Sequence, residues 1–333
     1  MKHRNIAFFI PHLGCKHRCS FCEQRSISGE ENKISASEVF ETASKELETL
    51  SESERKETEI AFFGGSFTAI EREKMLSFLD AGKRLIEKYS IKGIRISTRP
   101  DALSEEILDI LKNYGVRDIE IGAQSTDAKV LSLNDRGHTR EDIFSASERI
   151  RKYGFGLGLQ IMPGLFGDTK ETIEKTVADV LKIKPDTLRV YPTLIVRGTK
   201  LEKLYNEKIF TPLTLEDAAE ICSKMLEPME EKGIEIIKMG LHSEKSLEEN
   251  LIAGPYHPSF KEICESRLFC DKIEDEMNKR NLKSAEVFVA PKSISKALGN
   301  RRENLEKLSK KGLKINVKIC ENLSKYEIKI GKE

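Results

Sequence analysis

The chain has 333 residues, 38% of them hydrophobic and 33% charged, with a formal net charge of +1. That length holds one large α/β domain with an appendage, and the composition suits a soluble protein with no membrane partner, since no apolar run approaches the ~20 residues of a membrane span. Seven cysteines, an odd number in a mid-sized chain, predict reduced thiols and a cytoplasmic setting rather than a disulfide framework.

The start, MKHRNIAFFIPHLG, reads as a strand over residues 5–10 that breaks at Pro11, not as a signal peptide. A cysteine-bearing loop and a polar connection follow. Ser35 with Glu38 three residues on is a capping box for a helix to about Leu50. SESERKETE reads as a loop. Residues 59–63 form a second strand ended by Gly64-Gly65-Ser66, and a helix covers about 71–89. Residues 93–99 are a third strand stopped by Pro100, and Ser104 caps a helix to Tyr114. Residues 118–125 are a fourth strand. A short helix and the loop NDRGHT lead to a helix over 141–153, with Thr139 as its cap. Residues 155–162 are a fifth strand, Thr169 opens a helix to Ile183, and residues 187–194 are a sixth strand.

Strands alternating with helices at ~30-residue spacing predict a parallel sheet with right-handed crossovers. The expected fold is a partial (βα)6 TIM-type barrel. A seventh strand, residues 234–239, follows a long helix begun near Thr214. The pattern then changes to short strands around a basic helix at 293–311. The expected division is a barrel over 1–250 and a small α/β appendage over 251–333 that covers the barrel mouth. Residues 272–333 hold 16 Lys and Arg against 9 Asp and Glu, so +7, and the remainder carries −6. Such a tail is either an electrostatic footprint for RNA or a solvated Lys-rich face.

Cys15, Cys19 and Cys22 form a Cys-x-x-x-Cys-x-x-Cys run on the loop after the first strand. Three thiolates at that spacing can converge on three irons of a 4Fe–4S cluster and leave the fourth iron open to a small molecule. The other readings are a zinc site with His12 or His17 as fourth ligand, or free thiols. Zinc sites usually come as two separated ligand pairs, and no second Cys-x-x-Cys exists here. Cys222, Cys264, Cys270 and Cys320 are scattered and read as ordinary buried thiols.

Active sites of parallel barrels form at the carboxyl ends of the strands. Candidate residues fall at those ends on every strand. Gly64-Gly65 is either a backbone approach to a ligand or a tight turn. Arg99 is either a clamp for a carboxylate or a salt-bridged arginine. Glu120 is either a barrel-lining acid or an arginine's partner. Gln124 and Gln160 can read an adenine, a ribose or the substrate. Arg136, His138, Tyr191 and Tyr256 are candidate substrate contacts, and His242, His257 and Glu120 are candidate proton donors. Each histidine also has an ordinary structural reading.

The stretch GCKHRCSFC resembles the signature of radical S-adenosylmethionine (SAM) enzymes. IPHLGCKHRCSFC, EIAFFGGSFT, IRISTRPD, IEIGAQS, NDRGHT, GLQIMPGL, LRVYPTL and GPYHPSF resemble blocks of the elongator catalytic-subunit family and its short bacterial relatives, from residue 10 to residue 260. The resemblance implies a 4Fe–4S cluster on Cys15, Cys19 and Cys22, and SAM bound by Phe21, Gly64, Gly65, Ser66, Arg99, Gln124 and Gln160. It implies an electron donor such as flavodoxin or ferredoxin, and a 5′-deoxyadenosyl radical that takes a hydrogen atom from the substrate.

Two departures from the family are visible. The chain ends too soon for the acetyltransferase domain, which argues against acetyl chemistry on tRNA. Glu23 and His242 stand where short relatives tend to carry Asn and Gln. Among such relatives the expected activity is queuine lyase, a small-molecule reaction on a nucleobase that releases the aminomethyl-deazaguanine base. The near-neutral total charge suits a free base. The alternative is modification of a tRNA wobble base.

Overall fold

The computed structural model describes residues 4–10, 14–15, 18–23 and 34–331. The strands β1 (Arg4–Ile10), β2 (Thr58–Gly64), β3 (Gly93–Thr98), β4 (Val116–Gln124), β5 (Gly156–Ile161) and β6 (Thr187–Val190) follow in chain order. A two-residue β7 (Ile195–Val196) intervenes before β8 (Glu235–Met239). The main sheet is seven-stranded, in the order β1-β2-β3-β4-β5-β6-β8, and every pairing in it is parallel. Among the described residues β8 does not pair back to β1, so the sheet is a part-barrel with two edges.

The helices between the strands are α1 (Ala36–Glu48), α2 (Glu52–Lys56), α3 (Arg72–Tyr89), α4 (Glu105–Asn113), α5 (Ala128–Leu133), α6 (Arg140–Lys152), α7 (Lys170–Ile183), α8 (Lys200–Asn206) and α9 (Leu215–Glu231). They cover the outside of the sheet, so strand residues such as Ile60, Phe62, Ile94, Ile96, Ile119 and Leu159 are buried in one continuous core. The helix-covered face of the strands is apolar, and the inner face carries polar and charged residues such as Glu59, Arg95, Ser97, Glu120, Gln160 and Arg189 in alternation with it.

The caps stand where expected. Ser35 N–H donates to Glu38 Oε2 at 2.7 Å and Glu38 N–H to Ser35 Oγ at 3.2 Å. Thr139 and Thr169 cap their helices with the same reciprocal pair of bonds, and Ser104 and Thr214 cap theirs by accepting from the backbone N–H three residues on. SESERKETE is not wholly a loop. Ser51 and Glu54 form a second capping box there and nucleate α2, a single turn too short and too polar to show an apolar face.

After β8 come α10 (Lys245–Asn250), β9 (Leu251–Ala253), which pairs antiparallel with β7, and α11 (Phe260–Lys279). Then follow β10 (Ser284–Val289), α12 (Ile294–Leu298), α13 (Glu303–Lys310), β11 (Lys314–Ile319) and β12 (Ile328–Gly331). The last three strands make a separate sheet in the order β11-β10-β12. Phe260, Cys264, Phe269 and Ile273 of α11 share the main core with Cys222, Met225 and Met229 of α9.

The single basic helix expected over 293–311 is two helices. Gly299 (φ +76°) ends the first, and Arg301 and Arg302 stand left-handed at φ +48° and +65°. Asn304 compensates. Its amide donates to the carbonyls of Lys296 at 3.2 Å and Ala297 at 3.1 Å, groups that a helix end leaves unpaired, and to Ser266 of α11 at 3.0 Å. Among the described residues no helix is long and apolar enough to cross a membrane.

Charges are buried near the amino ends of the strands. Arg95 Nε donates to Glu59 Oε2 at 3.0 Å, and its Nη2 lies 3.4 Å from Asp118 Oδ1. Lys92 Nζ lies 3.2 Å from Glu59 and 3.6 Å from Asp118. Burial, and then the hydrogen bond with Glu59, push the Asp118 carboxyl from 3.8 up to about 6. The folded state therefore binds this proton more tightly than the unfolded chain does. The stabilisation is full below the ordinary value and is lost as pH rises through about 6. We predict that Asp118→Asn gains on the wild type between pH 4 and pH 7 in urea unfolding, because the variant has no such proton to lose. A stability difference that stays constant across that range would refute this.

Candidate active site

A cavity of about 230 Å³ opens at the carboxyl ends of the strands. Cys15, Cys19, Phe21 and Cys22 of the loop after β1 line it, as do Gly64, Gly65 and Ser66 after β2. Ser97 and Arg99 reach it from β3, Glu120 and Gln124 from β4, Gln160 from β5 and Tyr191 from the end of β6. None of the described lining residues lies beyond Leu241.

The cysteine loop meets the rest of the cavity backbone to backbone. Gly14 has φ +74°, and a Cβ there would lie 2.2 Å from the Ser66 carbonyl oxygen. Gly64 has φ +107°, and a Cβ there would lie 3.1 Å from the Ile10 oxygen. Gly65 N–H donates to that same Ile10 oxygen at 2.9 Å. Only glycine combines these angles with such close approach.

Two further residues hold the loop. Buried Ser20 donates through its N–H to Asn134 O at 3.2 Å and through Oγ to Asn134 Oδ1 at 2.6 Å, and its own carbonyl accepts from Leu201 N–H at 2.9 Å. The Asn134 amide donates to Val130 O at 2.8 Å and Phe166 O at 2.9 Å. Asn134, at the end of α5, thus joins the cysteine loop, its own helix and the segment after β5. Neither residue stands out in the sequence. The one available signal is that Asn134 opens the NDRGHT block, and nothing there pairs it with a residue 114 positions away.

The thiols sit in a mixed field. Burial holds the Cys15 thiol above its ordinary value and Cys19 adds to that, while a hydrogen bond from the Ser66 backbone and the charges of Arg136 and Arg99 act against it. Arg136 Nη1 donates to Cys19 Sγ at 3.0 Å and Nη2 to Gly122 O at 2.5 Å, and its guanidinium lies 6.0 Å from the Phe21 ring centre. This donor set fits an iron–sulfur cluster: three thiols from one loop face one cavity, with a buried cation beside them. Among the described residues no three His, Cys, Asp or Glu side chains converge to hold a single ion. His12 and His17, the alternative zinc ligands, lie outside the described residues.

The remaining expected residues divide into two groups. In the first group, inside the cavity, most polar atoms already have protein partners. Ser66 Oγ lies 2.9 Å from Thr98 Oγ1 and accepts from Arg99 N–H at 3.2 Å. Arg99 grips Asp101 through two bonds of 2.9 and 3.0 Å. Gln124 is left-handed at φ +67°, at an irregularity in the β4–β5 register, and accepts from Gln160 Nε2 at 3.2 Å. Glu120 accepts from Ser97 Oγ at 3.1 Å and from Arg189 Nε at 2.7 Å. Arg189 Nη1 also donates to Tyr191 Oη at 3.1 Å, and its guanidinium lies 4.9 Å from the Phe63 ring centre. Sequence reasoning passed over Arg189, although it lies two residues before Tyr191 on the same strand and so shares its side of the sheet.

The second group does not line the cavity. His138 is buried behind it, with Nε2 lying 3.3 Å from Ala123 O. Burial and then Arg136 and Arg99 push its imidazolium down to about 3, so the ring is neutral at ordinary pH. His242 is more than a third exposed, its Nδ1 accepts from Lys238 Nζ at 3.1 Å, and partial desolvation of the ring followed by the charge of Lys238 lowers its pKa. His257 Nδ1 accepts from Ser259 N–H at 3.0 Å near the start of α11. Tyr256 donates to Glu248 at 2.8 Å.

Replacing Asn134 by Ala would strip buried carbonyls and the Ser20 hydroxyl of their partners. The expected cost is about 2–4 kcal/mol in urea unfolding, against about 1 kcal/mol for Ser20→Ala. Equal costs for the two variants would show that Asn134 is not the hub.

The Radical SAM superfamily profile matches residues 9–180. The Radical_SAM C-terminal domain profile matches residues 185–269. A tRNA uridine(34) acetyltransferase of Methanocaldococcus infernus is 28% identical over 185 residues, covering 50% of this chain and 35% of that protein. Elongator complex protein 3 of Homo sapiens is 29% identical over 192 residues, covering 51% of this chain and 35% of that protein. The chain thus spans about a third of the length of these relatives. The solved archaeal Methanocaldococcus infernus Elp3 with an N-terminal deletion shares the fold, with a TM-score of 0.60 at 20% identity over 84% of this chain and 64% of that one. With a matching profile over more than half its length, on a seven-stranded parallel part-barrel, this chain belongs to the radical SAM superfamily, whose cofactors are a 4Fe–4S cluster and S-adenosylmethionine.

Proposed function

We propose that the chain is a lyase of the radical SAM kind that acts on queuine, splitting the cyclopentenediol from the aminomethyl-deazaguanine base. Cys15, Cys19 and Cys22 would hold the cluster. Gly64 and Gly65 would present backbone to SAM, Ser66 would buttress their turn, and Phe21 would flank the adenine. When bound, the cluster and SAM supply a 5′-deoxyadenosyl radical that removes a hydrogen atom from the substrate. The chain's own residues orient the substrate and exclude water. Gln124 and Gln160 offer amides to the adenosine or the base. Glu120, the one expected proton donor that lines the cavity, would face the substrate amine, with Tyr191, another lining residue, beside it.

The observation that carries this reading is the state of the cavity's arginines. Arg18 is paired with Glu23 at 2.7 Å, Arg99 with Asp101 at 2.9 Å, and Arg136 lies on Cys19 at 3.0 Å. Arg18 and Arg99 each face a carboxylate, and two Arg136 nitrogens are turned to Cys19 Sγ and the Gly122 carbonyl, so the cavity offers little to a phosphate chain. Each Glu120 oxygen accepts one hydrogen bond from the protein and keeps a second lone pair, which suits an N–H-rich base. A second reading is a tRNA wobble base, supported by the names of the relatives and by exposed Lys314 and Lys329 on the basic C-terminal sheet. There Arg136 would belong to the pocket wall, with His138 buried behind it, and the sheet would meet the RNA.

The test is deoxyadenosine release from anaerobically reconstituted protein with SAM and dithionite. Queuine is expected to raise the rate at least about tenfold, with a deazaguanine product. Stimulation by tRNA instead would select the second reading. Cys19→Ala is expected to lose iron and all deoxyadenosine release, and a Cys19→Ala protein that behaves as wild type would sink the cluster assignment.

A further inference from the structure

Among the described residues three arginines are buried in the barrel, Arg95, Arg99 and Arg136, and a fourth, Arg189, is nearly so. Three of the four face carboxylates. Arg95 meets Glu59 and Asp118, Arg99 meets Asp101, and Arg189 meets Glu120. Arg136 does not. Among the described residues it has no carboxylate within ion-pair distance, and its Nε is buried with no hydrogen-bond partner. Its two other nitrogens are spent on a neutral carbonyl, Gly122 O, and on a sulfur, Cys19 Sγ. A buried guanidinium without a counter-charge is costly, because its desolvation is not offset. Among the described residues, the group in hydrogen-bond contact with it that can become anionic is the Cys19 thiol.

We infer that Arg136 is a positioning residue for the iron–sulfur cluster: it places its charge against the Cys19 ligand and sets how easily the cluster accepts an electron, given the proposed assignment of Cys15, Cys19 and Cys22 as ligands. Hydrogen bonds to cluster sulfurs and nearby net charge are the levers that tune such potentials. An added electron makes the cluster more negative. A guanidinium 3.0 Å from a ligand sulfur favours that state, so the cation raises the reduction potential. The Gly122 carbonyl fixes the angle of the fork, and the Phe21 ring at 6.0 Å limits its swing.

The experiment is a redox titration followed by electron paramagnetic resonance, on protein reconstituted to equal iron content and without SAM. Leaving SAM out removes any role Arg136 has toward SAM. Arg136→Gln is expected to show about a tenfold lower ratio of reduced to oxidised cluster at a fixed potential, a shift of about 59 mV for a one-electron couple. Arg136→Lys, which keeps the charge, is expected to fall between. Equal midpoints for wild type and Arg136→Gln overturn the inference. A second measurement needs no variant: in wild-type protein labelled with 15N-arginine, the reduced cluster is expected to show hyperfine coupling to an arginine nitrogen and its exchangeable proton, and their absence also overturns it. Iron analysis separates the two levels. If Cys19→Ala retains full iron, the ligand assignment fails and Arg136 falls with it. If Cys19→Ala loses iron and the midpoints agree, Arg136 alone is wrong.

Discussion

The cysteine loop is held to the barrel mainly by its own backbone, and the rest of the site depends on that seam. Gly14 presses on the Ser66 carbonyl and Gly65 N–H bonds to Ile10, so the turn after β2 and the loop after β1 are one packed unit. Ser20 then binds to Asn134 on one side and to Leu201 on the other. Three chemically distinct pieces of the cavity are therefore located by hydrogen bonds that involve few side-chain rotamers. This is the economy a cluster site requires, since thiolates must arrive at set positions without long flexible stems.

A second theme is the pairing of buried charge. At the amino ends of the strands Glu59, Arg95 and Asp118 neutralise one another inside the sheet, and at the carboxyl ends Glu120 and Arg189 do the same under the cavity. The lower group has no opening to a ligand among the described cavity walls. The upper pair lies beside Ser97, Gln160 and Tyr191, where a substrate can replace or extend its hydrogen bonds. The same interior thus carries a structural charge layer and a chemical one, separated by about one turn of the strand pleat.

Much of this was legible in the sequence. The parallel alternation, the helix caps and the identity of the loop followed from period and spacing, because caps and crossovers are local signals. Most of the expected SAM and cluster residues do line one cavity, since strand ends in a parallel barrel converge whatever the residues are. What stayed hidden were pairings. The sequence leaves Arg99 open between a carboxylate clamp and a salt-bridged arginine and names no partner for it or for Ser66, and in the fold they engage Asp101 and Thr98. His242 and His257 follow strands or glycines in sequence, yet their rings bond to Lys238 and to the Ser259 backbone outside the cavity. Asn134 and Ser20 carry no signal, because a contact across 114 residues has no local pattern.

The same long-range contact has a consequence in time. The cysteine loop is made before its partners Asn134 and Leu201, and Leu201 is 181 residues beyond Ser20. Contacts of such separation close late, after the local helices and neighbouring strands. The three cysteines are consequently unpositioned until those partners have been made, and their geometry is completed only once α8 has docked. Metal delivered during that interval would meet three loose thiols, and metal delivered afterwards would meet a formed socket, so the order of docking and loading decides which species the loop first holds.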